Sequence, residues 1–455
     1  MKIVIVGAGK IGSELTAQLG GEHLLTVIDC DAKLIENIIN FYDVMAVCGN
    51  GASYDVQREA EVDKADLLIA TTSSDETNIL ACLVAKKLGV KHTIARIRNP
   101  EYERQLRFMR NELGLTMAIN PEKAVAHEIA RVLRFPAAMK LESFSKGRLE
   151  LVEYRVPEGS ALHGVRLFDV NKSTHARVLV CAVARRDETI IPTGEFTLAA
   201  GDKIYLTASP EQLAAFFRNL GVFRKKASNV MIVGAGKMCY YLASELLNMG
   251  MAVTVIDQNE QRCAEISEKL PKALVITGDG ADSELLAEEG IAQMDAFVAI
   301  TGVDEANILM AMSVARKYDS CKVVAKINRR TFGNLVNEEG MVDSVVSART
   351  VTTELIVQYV RAMESASGVK IKSLHRLVDG AVEALEFRVE ETASFTGVPL
   401  KELKLRSGIL IAGIVRRGGE IVIPGGSDCL QPGDDVIVIT TETAMQDLEE
   451  ILQTE

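Results

Sequence analysis

The sequence predicts an α/β protein built twice to one plan, a doubly wound parallel sheet followed by a small α+β module. Three observations lead there. The chain opens on an apolar strand, Ile3-Val4-Ile5-Val6, which runs into Gly7-Ala8-Gly9-Lys10-Ile11-Gly12 and then into a helical stretch, Ser13 to Leu19. Short apolar strands and helices keep alternating to about residue 120, as parallel βαβ units do. From Val230 onward the whole pattern recurs.

The glycine spacing has a mechanical reason. The first glycine makes the tight turn, the second lets the backbone approach a pyrophosphate, and the third packs helix on strand, so an anion rests on unpaired N–H groups at the positive helix end. A second strand, Leu24 to Ile28, ends on Asp29, placed where an acid takes ribose hydroxyls. Strand, turn, helix and acid together are the fingerprint of a Rossmann domain. Asp29 would repel a 2′-phosphate, so NAD(H) or an adenine nucleotide is expected and NADP is not.

A helix to about Asn40, a strand near Val44 to Val47 and the turn Cys48-Gly49-Asn50-Gly51-Ala52-Ser53 follow. Asp66 to Ala70 is a continuous apolar strand leading into Thr71-Thr72-Ser73-Ser74 and a helix from Asp75 to Leu88. Thr72 and Ser73 thus sit at the carboxyl edge of the sheet, where such folds bind ligands, and contact with ribose or phosphate is expected. Asp75-Glu76, like Asp304-Glu305 in the second half, reads as the acidic first turn of a helix capped by a serine or threonine, in preference to a catalytic carboxylate pair. The strand Thr93 to Ile97 brings Arg96 to the same edge. A solvated charge is the plain alternative there; a cation at the matching place in the second half favours a phosphate partner. Lys10, inside the glycine loop, is read likewise.

Pro121, after the N-cap Asn120, starts a connecting helix with Val125, Ile129, Val132 and Leu133 on one stripe, ending near Phe135-Pro136. Short strands then mark the small module. In the second half Val230-Met231-Ile232-Val233-Gly234-Ala235-Gly236-Lys237 repeats the opening, Asp257 matches Asp29, Thr301 and Gly302 match Thr72 and Ser73, and Lys326 takes the place of Arg96. Cys239 stands where the third glycine would, so helix and strand should lie slightly further apart there. The counterpart connecting helix, Thr350 to Met363, carries a stripe of Val351, Leu355 and Tyr359 with Ile356 and Val360 beside it, wide enough to pack on more than one neighbour. Both connecting helices are assigned to subunit exchange or hinging. The expected domains are residues 1–120 and 228–346 for the sheets, 121–139 and 347–366 for the connecting helices, and 140–222 and 367–455 for the small modules.

Composition excludes several classes. A net charge of −11 leaves no basic field for nucleic acid. No apolar run approaches the roughly 20 residues of a membrane span, and a strand from residue 2 leaves no room for a signal peptide, so a soluble, cytoplasmic protein is expected. The eight cysteines include no C-x-x-C pair and are read as reduced core thiols. His127-Glu128 begins like a zinc motif, but Arg131 occupies the second histidine position, so no metal is expected. An NAD-dependent oxidoreductase is the rival class. The six histidines show no matching pair between the halves to serve it, and a redox sensor at Cys30 is disfavoured by the adjacent Asp29.

Over its whole length the chain resembles the TrkA family, Trk-type potassium-uptake regulatory subunits built from tandem regulator-of-potassium-conductance (RCK) domains. Both glycine loops, Asp29 and Asp257, the Asp-Glu-(Thr/Ala)-Asn helices at Asp75 to Asn78 and Asp304 to Asn307, and the modules with Pro192-Thr193-Gly194 and Gly201-Asp202, and with Pro424-Gly425-Gly426 and Gly433-Asp434, carry the resemblance by their joint order. It implies no enzyme but a cytosolic gating subunit, peripheral on the inner face of the plasma membrane. Such subunits form a homo-oligomeric ring, commonly of four chains, beneath an integral-membrane potassium-translocating subunit of the TrkH/TrkG type, and respond to NAD(H) or ATP/ADP. Carried over by position, the resemblance implies a first site of Gly7, Ala8, Gly9, Lys10 and Ile11 with Asp29, Thr72, Ser73 and Arg96. The second comprises Gly234, Ala235, Gly236, Lys237 and Met238 with Asp257, Thr301, Gly302 and Lys326.

Overall fold

A computed structural model describes residues 1–105, 108, 112–134, 140–145, 147–186, 188–221, 227–338, 341–365, 371–391, 393–442, 445 and 447–453. In the first lobe β1 (Lys2–Val6), β2 (Leu24–Asp29), β3 (Met45–Cys48), β4 (Leu67–Ala70), β5 (His92–Arg96) and β6 (Met117–Ile119) form a parallel sheet in the order β3-β2-β1-β4-β5-β6. Its central strands are apolar without alternation because helices cover both faces; Ile3, Val4, Ile5 and Val6 are all buried. The chain leaves β1 in one direction for β2 and β3 and in the other for β4 to β6. The reversal opens a crevice at the carboxyl ends of β1 and β4. Three helices position the site: α1 (Lys10–Leu19), α2 (Asp75–Leu88) and the connecting α3 (Pro121–Arg134).

The first small module is an antiparallel sheet of β7 (Lys140–Phe144), β8 (Leu149–Arg155), β9 (Leu179–Arg185), β10 (Glu188–Ile190) and β11 (Lys203–Ala208). The second lobe repeats the first: β12 (Asn229–Val233), β13 (Ala252–Asp257), β14 (Leu274–Thr277), β15 (Ala296–Ala299), β16 (Lys322–Lys326) and β17 (Ser344–Val346), in the order β14-β13-β12-β15-β16-β17. Its matching helices are α4 (Lys237–Asn248), α5 (Asp304–Lys317) and α6 (Ala348–Ser365). The second module contains β18 (Ile371–Leu377), β19 (Val382–Arg388), β20 (Ile409–Val415), β21 (Ile421–Val422) and β22 (Asp435–Thr440).

Alternating in sequence, the repeats sort like with like in space. One compact unit joins Met1–Ala130 with Ser228–Val357, the two Rossmann lobes; the other joins Arg131–Ala227 with Gln358–Glu455, the two small modules. Within the first unit the lobes are tied reciprocally. Arg349 in the first turn of α6 meets Glu14 of α1 at 2.5 Å. On the matching side Asn120 Nδ2, just before α3, donates to Tyr241 Oη of α4 at 2.8 Å, and His127 of α3 meets Glu245 of α4 at 2.8 Å. Within the second unit both modules share one apolar core, in which Leu151, Val183 and Leu206 of the first lie with Ile437 and Ile439 of the second. Thr207 Oγ1 donates to Ala412 O across that core at 2.7 Å.

Several expectations need correcting. The helix after the first glycine loop begins at Lys10, not Ser13, because Ser13 N–H already closes a turn on Gly9 O at 2.9 Å. Of the apolar face expected on α6, Ile356 and Val360 are buried, together with Thr352, Thr353 and Val357, whereas Val351, Leu355 and Tyr359 are only half-buried. The cysteines are not all core thiols: Cys30 and Cys48 are exposed at the ends of β2 and β3. The expected helix end at Phe135-Pro136 and the expected boundaries at residues 139, 222, 366 and 455 lie outside the described residues. No helix among the described residues is long and apolar enough to cross a membrane.

Candidate functional site

Each glycine loop is shaped by close backbone approach. Gly7 turns at φ +106°, and a side chain there would press on Thr72 N; a Cβ on Gly12 would stand 1.8 Å from Gly7 O. Gly9 caps α1 with no side-chain partner, which leaves the first N–H groups of the helix to face outward. Asp29 braces the turn: its Oδ2 accepts from Ala8 N–H at 2.6 Å and its Oδ1 from Asp31 N–H at 2.8 Å. A carboxylate has about four acceptor sites, so two remain for ribose hydroxyls.

At the other side of the crevice one buried amide holds everything in place. Asn78 of α2 accepts from both Thr72 N–H (2.8 Å) and Thr72 Oγ1 (2.7 Å), and its Nδ2 donates to Thr72 O (3.2 Å) and Arg96 O (2.8 Å). It thereby clamps the ends of β4 and β5 together. The Arg96 guanidinium donates to Thr72 O at 3.2 Å, while its Nε is buried with no hydrogen-bond partner. Burial, and then the neighbouring Arg98, lower its pKa; Glu122 and Asp75 oppose them. Arg96 is therefore not the solvated charge of the plain reading. Asp75 is buried and accepts from Arg98 N–H and Asn99 N–H at 2.9 and 2.8 Å. It lies in the acidic first turn expected of it and in addition caps the loop at residues 98–99, with Arg98 Nε 3.6 Å from its Oδ1, and Ser74 caps α2 by accepting from Thr77 N–H.

The second lobe copies this atom for atom at most points. Asp257 accepts from Ala235 N–H at 2.7 Å, and Asn307 accepts from Thr301 N–H and Oγ1 at 2.9 and 2.7 Å and donates to Lys326 O at 2.9 Å. Lys326 Nζ donates to Ile300 O at 3.3 Å, its pKa lowered by burial against the pull of Asp304 and Glu122. Two points differ. Val303 precedes α5 and offers no side-chain cap, so the serine-or-threonine cap expected for both copies exists in the first alone. Cys239 fills the third-glycine position fully buried, its thiol pKa driven up by burial, and the first turn of α4 is slacker, with Tyr240 N–H 3.2 Å from Gly236 O.

Both sites open into one cleft of about 1690 Å³. Every sequence-predicted residue lines it except Ala8, whose N–H is held by Asp29, and Gly12, which is buried beneath the turn. Sequence reasoning missed Asn78, Asn307, Arg98, Glu122 and Arg349 as site residues. The asparagines recur at the same place in both halves, a signal that was available. Glu122, in the first turn of α3, stands where it acts electrostatically on both Arg96 and Lys326, with one carboxylate oxygen buried and lacking a hydrogen-bond partner.

Comparison with known proteins bears on this cleft. The TrkA-N domain family matches residues 3–121 and 230–348, and the TrkA-C domain family matches 151–221 and 384–453. The chain is similar to the Trk system potassium uptake protein TrkA of Vibrio alginolyticus, 33% identical over 459 residues and covering 100% of this chain and 99% of that protein. It is also similar to the Trk system potassium uptake protein TrkA homolog 1 of Methanosarcina mazei, 32% identical with 99% of each covered. Among solved structures, the GsuK channel bound to NAD superposes with a TM-score of 0.62 at 21% identity, over 96% of this chain and 76% of that one. GsuK bound to ADP superposes at 0.51 and 16%, over 80% and 69%. These structural likenesses concern the fold.

Proposed function

Because the chain belongs to the TrkA family of Trk-system potassium uptake proteins, we propose that it is the nucleotide-responsive gating subunit of such a system. It controls an integral-membrane potassium-translocating partner of the TrkH/TrkG type through NAD(H)- or ATP/ADP-dependent conformational change. The observation that carries this reading is the single cleft into which two adenylate-type sites open, one from each lobe. Full-length relatives named for potassium uptake support a regulatory role over an enzymatic one.

The physical logic is that of a two-state element. A ligand shifts an equilibrium only by its differential affinity for the two states, and moving a population from about 1:99 to 99:1 takes roughly 5.5 kcal/mol. A ligand held at Gly7 to Ile11 and braced by Asp29 lies across from the second lobe's own set, so closing or opening the cleft changes its contacts. The reciprocal ties of Glu14 to Arg349 and of Asn120 to Tyr241 make the two connecting helices feel any relative shift of the lobes. Two sites per chain, multiplied by a homo-oligomeric ring on the cytoplasmic face of the membrane, would share the energetic demand.

Asp29→Ala is expected to weaken NAD(H) and ATP binding at the first site by about tenfold to a hundredfold, since hydrogen bonds to a charged group contribute roughly 1.5–3 kcal/mol. Calorimetry on the full chain, with Asp257→Ala as the matched variant of the second lobe, measures it. Unchanged isotherms in both variants would refute the site assignment. Potassium flux through the reconstituted membrane partner, with and without each nucleotide, tests the gating role.

A further inference from the structure

The two sites share a backbone plan but not a charge. The side chains that line the first lobe's part of the cleft include Lys10, Arg96 and Arg98 against Asp29 alone. In the second lobe Lys237, Arg262 and Lys326 are matched by Asp257, Glu265 and Asp279. Two substitutions between the copies contribute: Asn328 stands at the place of Arg98, and Asp279 at the place of Asn50. Glu122 and Arg349, at equivalent places in the first turns of the connecting helices, also line the cleft; Glu122 acts on a cation of each lobe, Arg96 and Lys326, and Arg349 is paired with Glu14. In the first lobe the Nε of Arg96 is buried without a hydrogen-bond partner, whereas Arg98 pairs with the buried Asp75 at 3.6 Å; with Asp75 and its buried counterpart Asp304 included, three cations face two acids in the first lobe and three face four in the second.

We propose that the sites are tuned to ligands of different charge: the first lobe takes the polyphosphate tail of a nucleoside di- or triphosphate, and the second takes a dinucleotide. This rests on the reading of the cleft as a nucleotide site. Both ligands present an adenosine with free ribose hydroxyls to an aspartate, Asp29 or Asp257, so the adenosine end does not discriminate. The phosphates do. A terminal polyphosphate carries more negative charge than the two-phosphate bridge of a dinucleotide, and it needs the surplus of cations that only the first lobe offers. The second lobe, without that surplus, would leave part of that charge uncompensated in a half-buried cleft, where like charges repel more strongly than in water. The dinucleotide suits it better.

The test uses the full chain and calorimetry with ATP and with NADH. Asp257→Ala reports the first site and Asp29→Ala the second. The expected result is an ATP preference over NADH of at least about tenfold at the first site and its reversal at the second, with the ATP affinity of the first site falling more steeply as KCl rises. Asn328→Arg combined with Asp279→Asn, which touches neither aspartate brace, should shift the second site toward ATP by at least about tenfold. Equal ATP-to-NADH ratios at the two sites, a reversed order, or no response to the double exchange would overturn the proposal. If neither nucleotide binds, or neither aspartate variant alters binding, the nucleotide-site reading itself falls and this proposal with it.

Discussion

Asn78→Ala should lower the stability of the first lobe by about 4 kcal/mol, because it strands several buried polar groups at once and each unsatisfied group costs roughly 1–3 kcal/mol. The side chain is fully buried and makes four hydrogen bonds, to the N–H, hydroxyl and carbonyl of Thr72 and to the carbonyl of Arg96. Water entering the space would recover part of the loss, which is why the expected figure lies at the low end of the simple sum. For a unit of this size each kcal/mol moves the midpoint by roughly 2–4 °C, so a fall of about 8–16 °C is expected in scanning calorimetry. The same substitution must also release Thr72 and Arg96 from their places at the sheet edge, so nucleotide binding at the first site should be lost together with stability. Asn307→Ala makes the parallel prediction for the second lobe, where Thr301 and Lys326 hang on the same amide. A midpoint within about 2 °C of the parent for both variants would show that the clamp is dispensable.

Gly12→Ala is expected to empty the first site and to destabilise by about 3 kcal/mol, the upper range for forcing extra atoms into a packed position. The added carbon would lie 1.8 Å from Gly7 O, far inside any allowed contact, and what must yield is the backbone of the phosphate turn itself. The second lobe supplies an internal control. It already carries a side chain at that position, Cys239, and accommodates it fully buried. Cys239→Gly should therefore leave the second site able to bind, at the modest cost of a small void. Retention of full first-site affinity by Gly12→Ala, measured by titration in an Asp257→Ala background, would contradict the packing argument.

The parallel sheets and the sheet edge that lines the cleft were legible in the sequence because each is written locally. A strand that is apolar on both faces, a glycine turn and an acid at the end of the next strand are read within some thirty residues, and the repeat doubled the signal. Arg96 and Lys326 were correctly placed on the sheet edge for the same reason, although nothing in their spacing told of their burial. What stayed hidden is set by distance along the chain or by direction of side chains. Glu14 and Arg349 are 335 residues apart, and no local pattern announces that they meet. That the lobes pair with each other, and the modules likewise, was equally invisible, since the order A–B–A–B is compatible with several pairings. Asn78 was seen as part of a motif, but a sequence does not say which of several polar residues on a helix faces inward. Glu122 and Arg349 escaped for a subtler reason: a search for repeats looks for identity, and these two occupy one structural place with opposite charge.

The covalent link between the two Rossmann lobes has one more consequence. A crevice formed between separate subunits comes apart when the protein is diluted below its dissociation constant, but here both walls belong to one polypeptide and the second wall is always present at a high effective concentration. On the proposed reading, nucleotide affinity of the cleft should therefore not change as the protein is diluted, which titrations at falling protein concentration would measure.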